Sequence, residues 1–137
     1  MPDSLPNYEM MDVAWMNDFW LAAITEKLTD VEMFVGTVKV MEGHRVILSA
    51  RSPVLKESLR KIGNAGKSIV TFNAECDVDI VKIFLKFIYT GLLETFANHE
   101  DLLALASIYQ VETLKNISQL PNRVPDTDDL NSGLLYQ

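Results

Sequence analysis

Residues 13–27 constrain the fold more than any other stretch. Asp12 is a suitable N-cap for a helix over this range. Val13, Trp15, Met16, Phe19, Trp20, Ala23, Ile24 and Leu28 recur at helical spacing, and both tryptophans of the chain fall within two turns. Asn17, Asp18, Thr25 and Glu26 form a narrow polar side. The apolar arc covers more than half the circumference, which is more than one small core can take. Either both tryptophans turn inward onto a neighbouring hairpin, or the outward part of the arc is covered by a second surface.

The remaining elements are short and sharply punctuated. Val31, Met33 and Val35 alternate with Glu32 and Phe34, which predicts a strand. Gly36-Thr37 turns the chain into a second strand through Val38 and Val40, giving a β-hairpin. A short helix after Gly43 holds Val46, Ile47, Leu48 and Ala50. Ser52-Pro53 starts another helix, with Ser as cap and Pro at the first position. It is expected to run to about Ile62, with Leu55, Leu59 and Ile62 on one face, until Gly63-Asn64-Ala65-Gly66 stops it. Residues 69–72 read as a third strand. Asp77 caps a strongly apolar helix that ends at Thr90, and Gly91 supplies its left-handed stop. Asn98 caps a helix over 99–107, and a last helix covers 111–119. The pattern predicts an α+β fold, a small three-stranded sheet with a cluster of helices.

The chain of 137 residues is long enough for one domain that folds without a disulfide or metal. Residues 1–11, with Pro2 and Pro6, are expected to be a flexible arm, 12–120 the domain, and 121–137 an acidic, disordered tail. The net charge is −7, of which residues 1–18 carry −4, residues 121–137 carry −2 and the middle only −1. Nucleic-acid binding needs clustered Lys and Arg, so this balance argues against it. No apolar run approaches the length of a membrane span, and the first 30 residues lack a signal-peptide pattern. Cys76 stands alone, which suits the cytosol or nucleus.

Catalytic constellations are missing. His44 and His99 are far apart and form no metal motif. His44 is expected to be a hydrogen-bonded structural residue at the hairpin end, and His99 a solvated one. Gly66-Lys67-Ser68 looks like the end of a phosphate loop, but Lys61 stands where the first glycine belongs and a strand follows. Cys76 has no base near it in sequence and stands between Glu75 and Asp77, so a small hydrophobe at a helix start is expected. Asp77/Asp79 and Glu100/Asp101 sit where helix dipoles favour acids. No acid, base and nucleophile converge, so no cofactor is expected and the chain reads as no enzyme.

Four blocks then form an ordered set: Leu28-Thr29-Asp30-Val31, residues 43–54 (GHRVILSARSPV), Phe87-Ile88-Tyr89-Thr90-Gly91, and residues 102–111 (LLALASIYQV). Together they resemble the BTB/POZ domain family, and most closely the BTB domains of cullin-ligase substrate adaptors. The family shows a T-D-V start, an A-H-R/K-x-x-L-x-A-x-S-P-x-F block, an F-x-x-Y-T-G helix end and an L-L-x-x-A-x-x-Y helix. The resemblance covers about residues 13–120.

It implies a non-enzymatic interaction module whose first helix pairs with its copy. Trp15, Met16, Phe19, Trp20, Ala23 and Ile24 would then form a homodimer interface, where aromatic and Met side chains are favoured. Asp30 and Arg45 would line a charged pocket beside it. His44, Leu48, Ser52, Pro53, Tyr89 and Gly91 match the structural signature. A cullin scaffold would contact the region of Leu59, Ile62, Asn64 and Tyr109. The alternative is an oligomerisation domain for transcriptional or cytoskeletal assembly. Three features depart from the family pattern: Gly43 replaces the usual alanine, Leu55 replaces phenylalanine, and residues 62–66 hold no glutamate. Pro121 and Pro125 also interrupt the region where a helical extension often follows.

Overall fold

The computed structural model describes residues 9, 12, 14–60, 66–93 and 99–118. Most of the expected arm, the expected tail, Ile62, Asn64 and the expected cap Asn98 lie outside the described residues, as does the side chain of His99. The elements run α1 (Ala14–Ile24), β1 (Val31–Val35), β2 (Val38–Gly43), α2 (Arg45–Arg51), α3 (Pro53–Ser58), β3 (Ser68–Phe72), α4 (Val78–Thr90), α5 (His99–Ile108) and α6 (Glu112–Ser118).

The sheet has the order β2-β1-β3. β1 and β2 form the expected antiparallel hairpin, with a bulge where Met33 pairs with Met41 and Phe34 with Lys39. β3 joins the other side of β1 in parallel, Val31 beside Ser68 and Val35 beside Phe72. The alternation in β1 works as read: Val31, Met33 and Val35 are buried while Glu32 and Phe34 are half-buried. Val70 and Phe72 extend the same inner face.

Against that face pack α4 and the helices around it. Asp77 caps α4 by accepting from the Asp79 N–H at 2.8 Å, and Gly91 ends it at φ 74° with its N–H on the Phe87 carbonyl. Between these stops Val81, Phe84, Leu85 and Ile88 are fully enclosed. Leu48, Leu55, Leu102, Leu105 and Leu114 close the core from the other helices.

Two helix ends differ from expectation. α1 stops three residues short of 27: Lys27 N–H bonds to Ala22 O and Glu26 N–H to Ala23 O, with Glu26 at φ 60°. This is a Schellman ending with glutamate in the position that normally holds glycine. α5 ends the same way, with Gln110 at φ 56° and Val111 N–H on Ala106 O. α3 ends at Ser58, shorter than the run to Ile62.

Candidate interaction surfaces

α1 divides its apolar arc. Ala23 is fully buried in the core of its own chain, so it offers nothing to a second copy and drops out of the expected interface contacts. Trp20 is half-buried, its ring 5.7 Å from that of Tyr89 on α4. The other side stays open: Trp15 is 50% exposed, Phe19 44% and Ile24 47%. Trp15 and Phe19 stack edge-on at 5.3 Å. The two tryptophans therefore take different roles, one inward and one outward.

Trp15, Met16 and Phe19 form one wall of a groove of about 890 Å³, with Val46, Ile47 and Ala50 of α2 opposite and Ile88 of α4 below. Leu28 and Val46, read from the sequence only as apolar helix residues, add open apolar surface, at 94% and 73% exposure.

His44 and Tyr89 fix the groove's far end. The His44 N–H donates to the Tyr89 hydroxyl at 2.8 Å, and the same oxygen lies 2.7 Å from His44 Nδ1. Nε2 lies 2.8 Å from the Lys27 carbonyl. A carbonyl only accepts, so Nε2 carries a proton, and in the tautomer with its hydrogen there Nδ1 accepts from the Tyr89 O–H. Burial raises the Tyr89 phenol well above its ordinary range, and the His44 N–H partly counters this.

Asp30 and Arg45 come together. The Arg45 N–H donates to Asp30 Oδ1 at 2.7 Å, and the guanidinium lies 3.6 Å from Oδ2. Arg45 Nη2 also donates to the Ser68 hydroxyl. Asp30 backbone groups bond Gly43 O and Ser68 N–H, joining the ends of all three strands. Asp30 is thus both helix cap and ion partner. The Arg45 Nε is buried with no partner among the described residues.

Glu42 is a buried carboxylate that sequence reasoning missed, at 3% exposure. It accepts from Lys39 at 2.6 Å, from Lys67 at 2.5 Å and from the Thr29 hydroxyl. The hydrogen bonds from Lys39, Lys67 and Thr29 pull its pKa down to about 2. Lys67, part of the loop-like Gly66-Lys67-Ser68, is therefore committed to an ion pair at the start of β3.

The signature positions are structural. Ser52 Oγ accepts from Leu55 N–H at 3.1 Å and donates to the Tyr109 carbonyl at 2.6 Å, with Pro53 in the first turn of α3. Leu48 is fully buried. Gly43 explains its own departure from the family alanine: a methyl there would lie 2.6 Å from the Met33 Cε, so Met33 fills that space.

Of the expected cullin contacts, Leu59 is 2% exposed, a core residue rather than a surface one. Tyr109 is half-buried, its ring 5.2 Å from Phe72 and 5.7 Å from Phe84. Its neighbour Ile108 is 60% exposed. Ile108 edges a small groove with Ile80 and Leu105, rimmed by Glu75, Asp77 and Asp101. Cys76 is half-buried there and packs on the core. Among the described residues no group of three or more His, Cys, Asp or Glu could hold a metal ion. None of the described helices is long and apolar enough to cross a membrane.

The described residues thus form an α+β unit whose first helix leaves an aromatic face open. The comparisons name the class: a family model for the BTB/POZ domain matches residues 22–120. The chain belongs to the BTB/POZ family, whose domain is a protein–protein interaction module. It is 30% identical over 118 residues to BTB/POZ and TAZ domain-containing protein 2 of Arabidopsis thaliana, covering 74% of this chain and 32% of that protein. It is 34% identical over 96 residues to BTB and MATH domain-containing protein 42 of Caenorhabditis elegans, covering 66% and 23%. The chain thus spans a third or less of the length of these relatives. The BTB domain of zebrafish PATZ1 superposes with a TM-score of 0.65 at 14% identity, covering 82% of this chain and 95% of that one, a likeness of fold.

Proposed function

We propose that the domain homodimerises through α1 and presents a partner to a cullin-type ubiquitin ligase as a substrate adaptor or scaffold. The observation that carries the dimer is the open aromatic wall of α1 beside an apolar groove. Trp15 and Phe19 leave about half their surface in water. Covering an exposed aromatic is worth up to roughly 2–3 kcal/mol, and apolar patches of this kind mark association sites. Asp30 and Arg45 hold the strand ends beside this face, so the charged pair would set its shape. Trp15→Arg with Phe19→Asp alters only exposed positions. Sedimentation should show a dimer for the parent chain and a folded monomer for the variant; an unchanged mass for the variant would overturn the interface.

The adaptor half rests on family membership and on Ile108, an exposed apolar residue beside Tyr109 and an acidic rim. Pulldown with a cullin scaffold at micromolar concentration tests it, with Ile108→Glu expected to abolish capture. A second reading is an oligomerisation domain for transcriptional or cytoskeletal assembly. The burial of Leu59 and the lack of glutamate in 62–66 favour it, and a dimer that ignores the scaffold would establish it. Either role suits the cytosol or nucleus, where a lone Cys76 stays reduced.

A further inference from the structure

Ala22 is the smallest side chain that α1 brings to the groove. Asp18 lies one turn before it and Trp15 two turns before it, so they share a face with Phe19. Past the end of α1, Lys27 and Leu28 also line the groove. Leu28 is 94% exposed and sits at φ 57°, a conformation that bulky side chains rarely adopt. Hydrogen bonds on both sides fix it there: the Lys27 carbonyl meets His44 Nε2, and the Asp30 N–H donates to the Gly43 carbonyl. An apolar side chain is thus held out into water at the end of an apolar groove. Charge is unspent on this face too. Asp18 and Lys27 are exposed, and neither forms an ion pair with another described residue. The neighbouring Glu26 lines a different hollow, with Ile24 and Lys82. Arg51, the other cation of the groove, donates to the Ile88 carbonyl and lies over the Phe87 ring.

We propose that two copies of this chain pair with their α1 helices antiparallel and crossing at Ala22, so that Asp18 meets the partner's Lys27 and Trp15 covers the partner's Leu28. The proposal rests on the α1 face being the dimer interface and assigns its register. Two helices come closest where the side chains between them are small, which puts the crossing at Ala22. Asp18 then stands about 6 Å from the crossing on one side and Lys27 about 7.5 Å on the other, at 1.5 Å per residue. Trp15 and Leu28 stand about 10 Å and about 9 Å from it on the same count. An antiparallel two-fold brings each of these pairs to one level, and each contact occurs twice. A parallel pairing would set Asp18 against Asp18 and Lys27 against Lys27, with like charges opposed. The unpaired charges therefore select the direction, and Leu28 gains the cover that its own chain withholds.

Charge-reversed full-length chains, alone and mixed, test the register. Asp18→Lys and Lys27→Glu each oppose like charges twice per dimer. Sedimentation equilibrium should show each dimerising roughly tenfold more weakly than the parent, about 1.4 kcal/mol. An equal mixture of the two variants restores both pairs, so native mass spectrometry should show the heterodimer far above either homodimer. Leu28→Ser alters an exposed position and should weaken the dimer roughly threefold while the chain stays folded. Variants that dimerise like the parent, or a mixture that forms no excess of heterodimer, overturn the proposal. Weakening by Asp18→Lys without weakening by Lys27→Glu overturns it as well, because Asp18 would then face Arg51. If Trp15→Arg with Phe19→Asp dissociates the parent dimer while the charge variants leave it unchanged, the register alone fails and the α1 interface stands. A parent chain that sediments as a monomer throughout overturns both.

Discussion

His44 and Tyr89 close a reciprocal pair: the backbone N–H of one reaches the hydroxyl of the other at 2.8 Å, and that hydroxyl returns to the imidazole Nδ1 at 2.7 Å. One oxygen thereby joins the end of the hairpin to the last turn of the central helix. Tyr89→Phe keeps the ring but strands the His44 N–H and Nδ1. The expected cost is about 1–3 kcal/mol in urea unfolding, the penalty for unpaired polar groups away from water. A change near zero would show that water replaces the hydroxyl.

Gly43→Ala should destabilise the domain by roughly 1–3 kcal/mol, because the new methyl meets the Met33 Cε at 2.6 Å in a filled core. The obstacle is the end of a flexible side chain. Met33→Leu shortens it and should recover much of the loss in the double variant. Unfolding midpoints of both single variants and the pair give the coupling, expected above about 0.5 kcal/mol.

Glu42 predicts acid sensitivity of definite sign. Its pKa is lowered from 4.5 to about 2, so the folded state holds the carboxylate ionised more firmly than the unfolded chain does. That stabilisation is complete above the ordinary carboxyl range and is lost as pH falls from about 4.5 to 2. Glu42→Gln should be less stable than the parent at neutral pH, with the gap closing over that window. Thermal unfolding across pH checks it. Added salt should narrow the gap, because Lys39 and Lys67 are 39% and 38% exposed.

Glu26→Gly should raise stability by roughly 0.5–1 kcal/mol, since glycine takes φ near 60° without the cost a side chain meets there. Glu26→Val should lower it. A melting temperature that moves in the same direction for both would contradict the Schellman ending.

Much of this architecture was legible because side chains announce it. Asp77 and Gly91 bound α4, Ser52-Pro53 starts α3, and the alternation of β1 names its inner face. The end of α1 was less legible, because Glu26 occupies a left-handed position with no local mark. The parallel pairing of β1 with β3 depends on how α2 and α3 return the chain. The α1 arc announced surplus apolar surface, yet an almost continuous arc cannot say which residues turn inward; contact with Tyr89 draws Trp20 in, and Ala23 follows. The Glu42 cluster was invisible because Thr29, Lys39 and Lys67 come from three separate segments.

β1 has neighbours with unequal histories. β2 follows it through a two-residue turn, a contact of the kind that forms in microseconds. β3 arrives only after α2 and α3 have been made, and a parallel neighbour adds loop-closure cost to the search. During synthesis the hairpin therefore emerges well before its second flank is covered. Until Ser68–Phe72 docks, one edge of β1 offers unpaired N–H and C=O groups to any passing chain. An unpaired edge of this kind is a template for wrong pairing, and the strand that covers it lies near the middle of the chain.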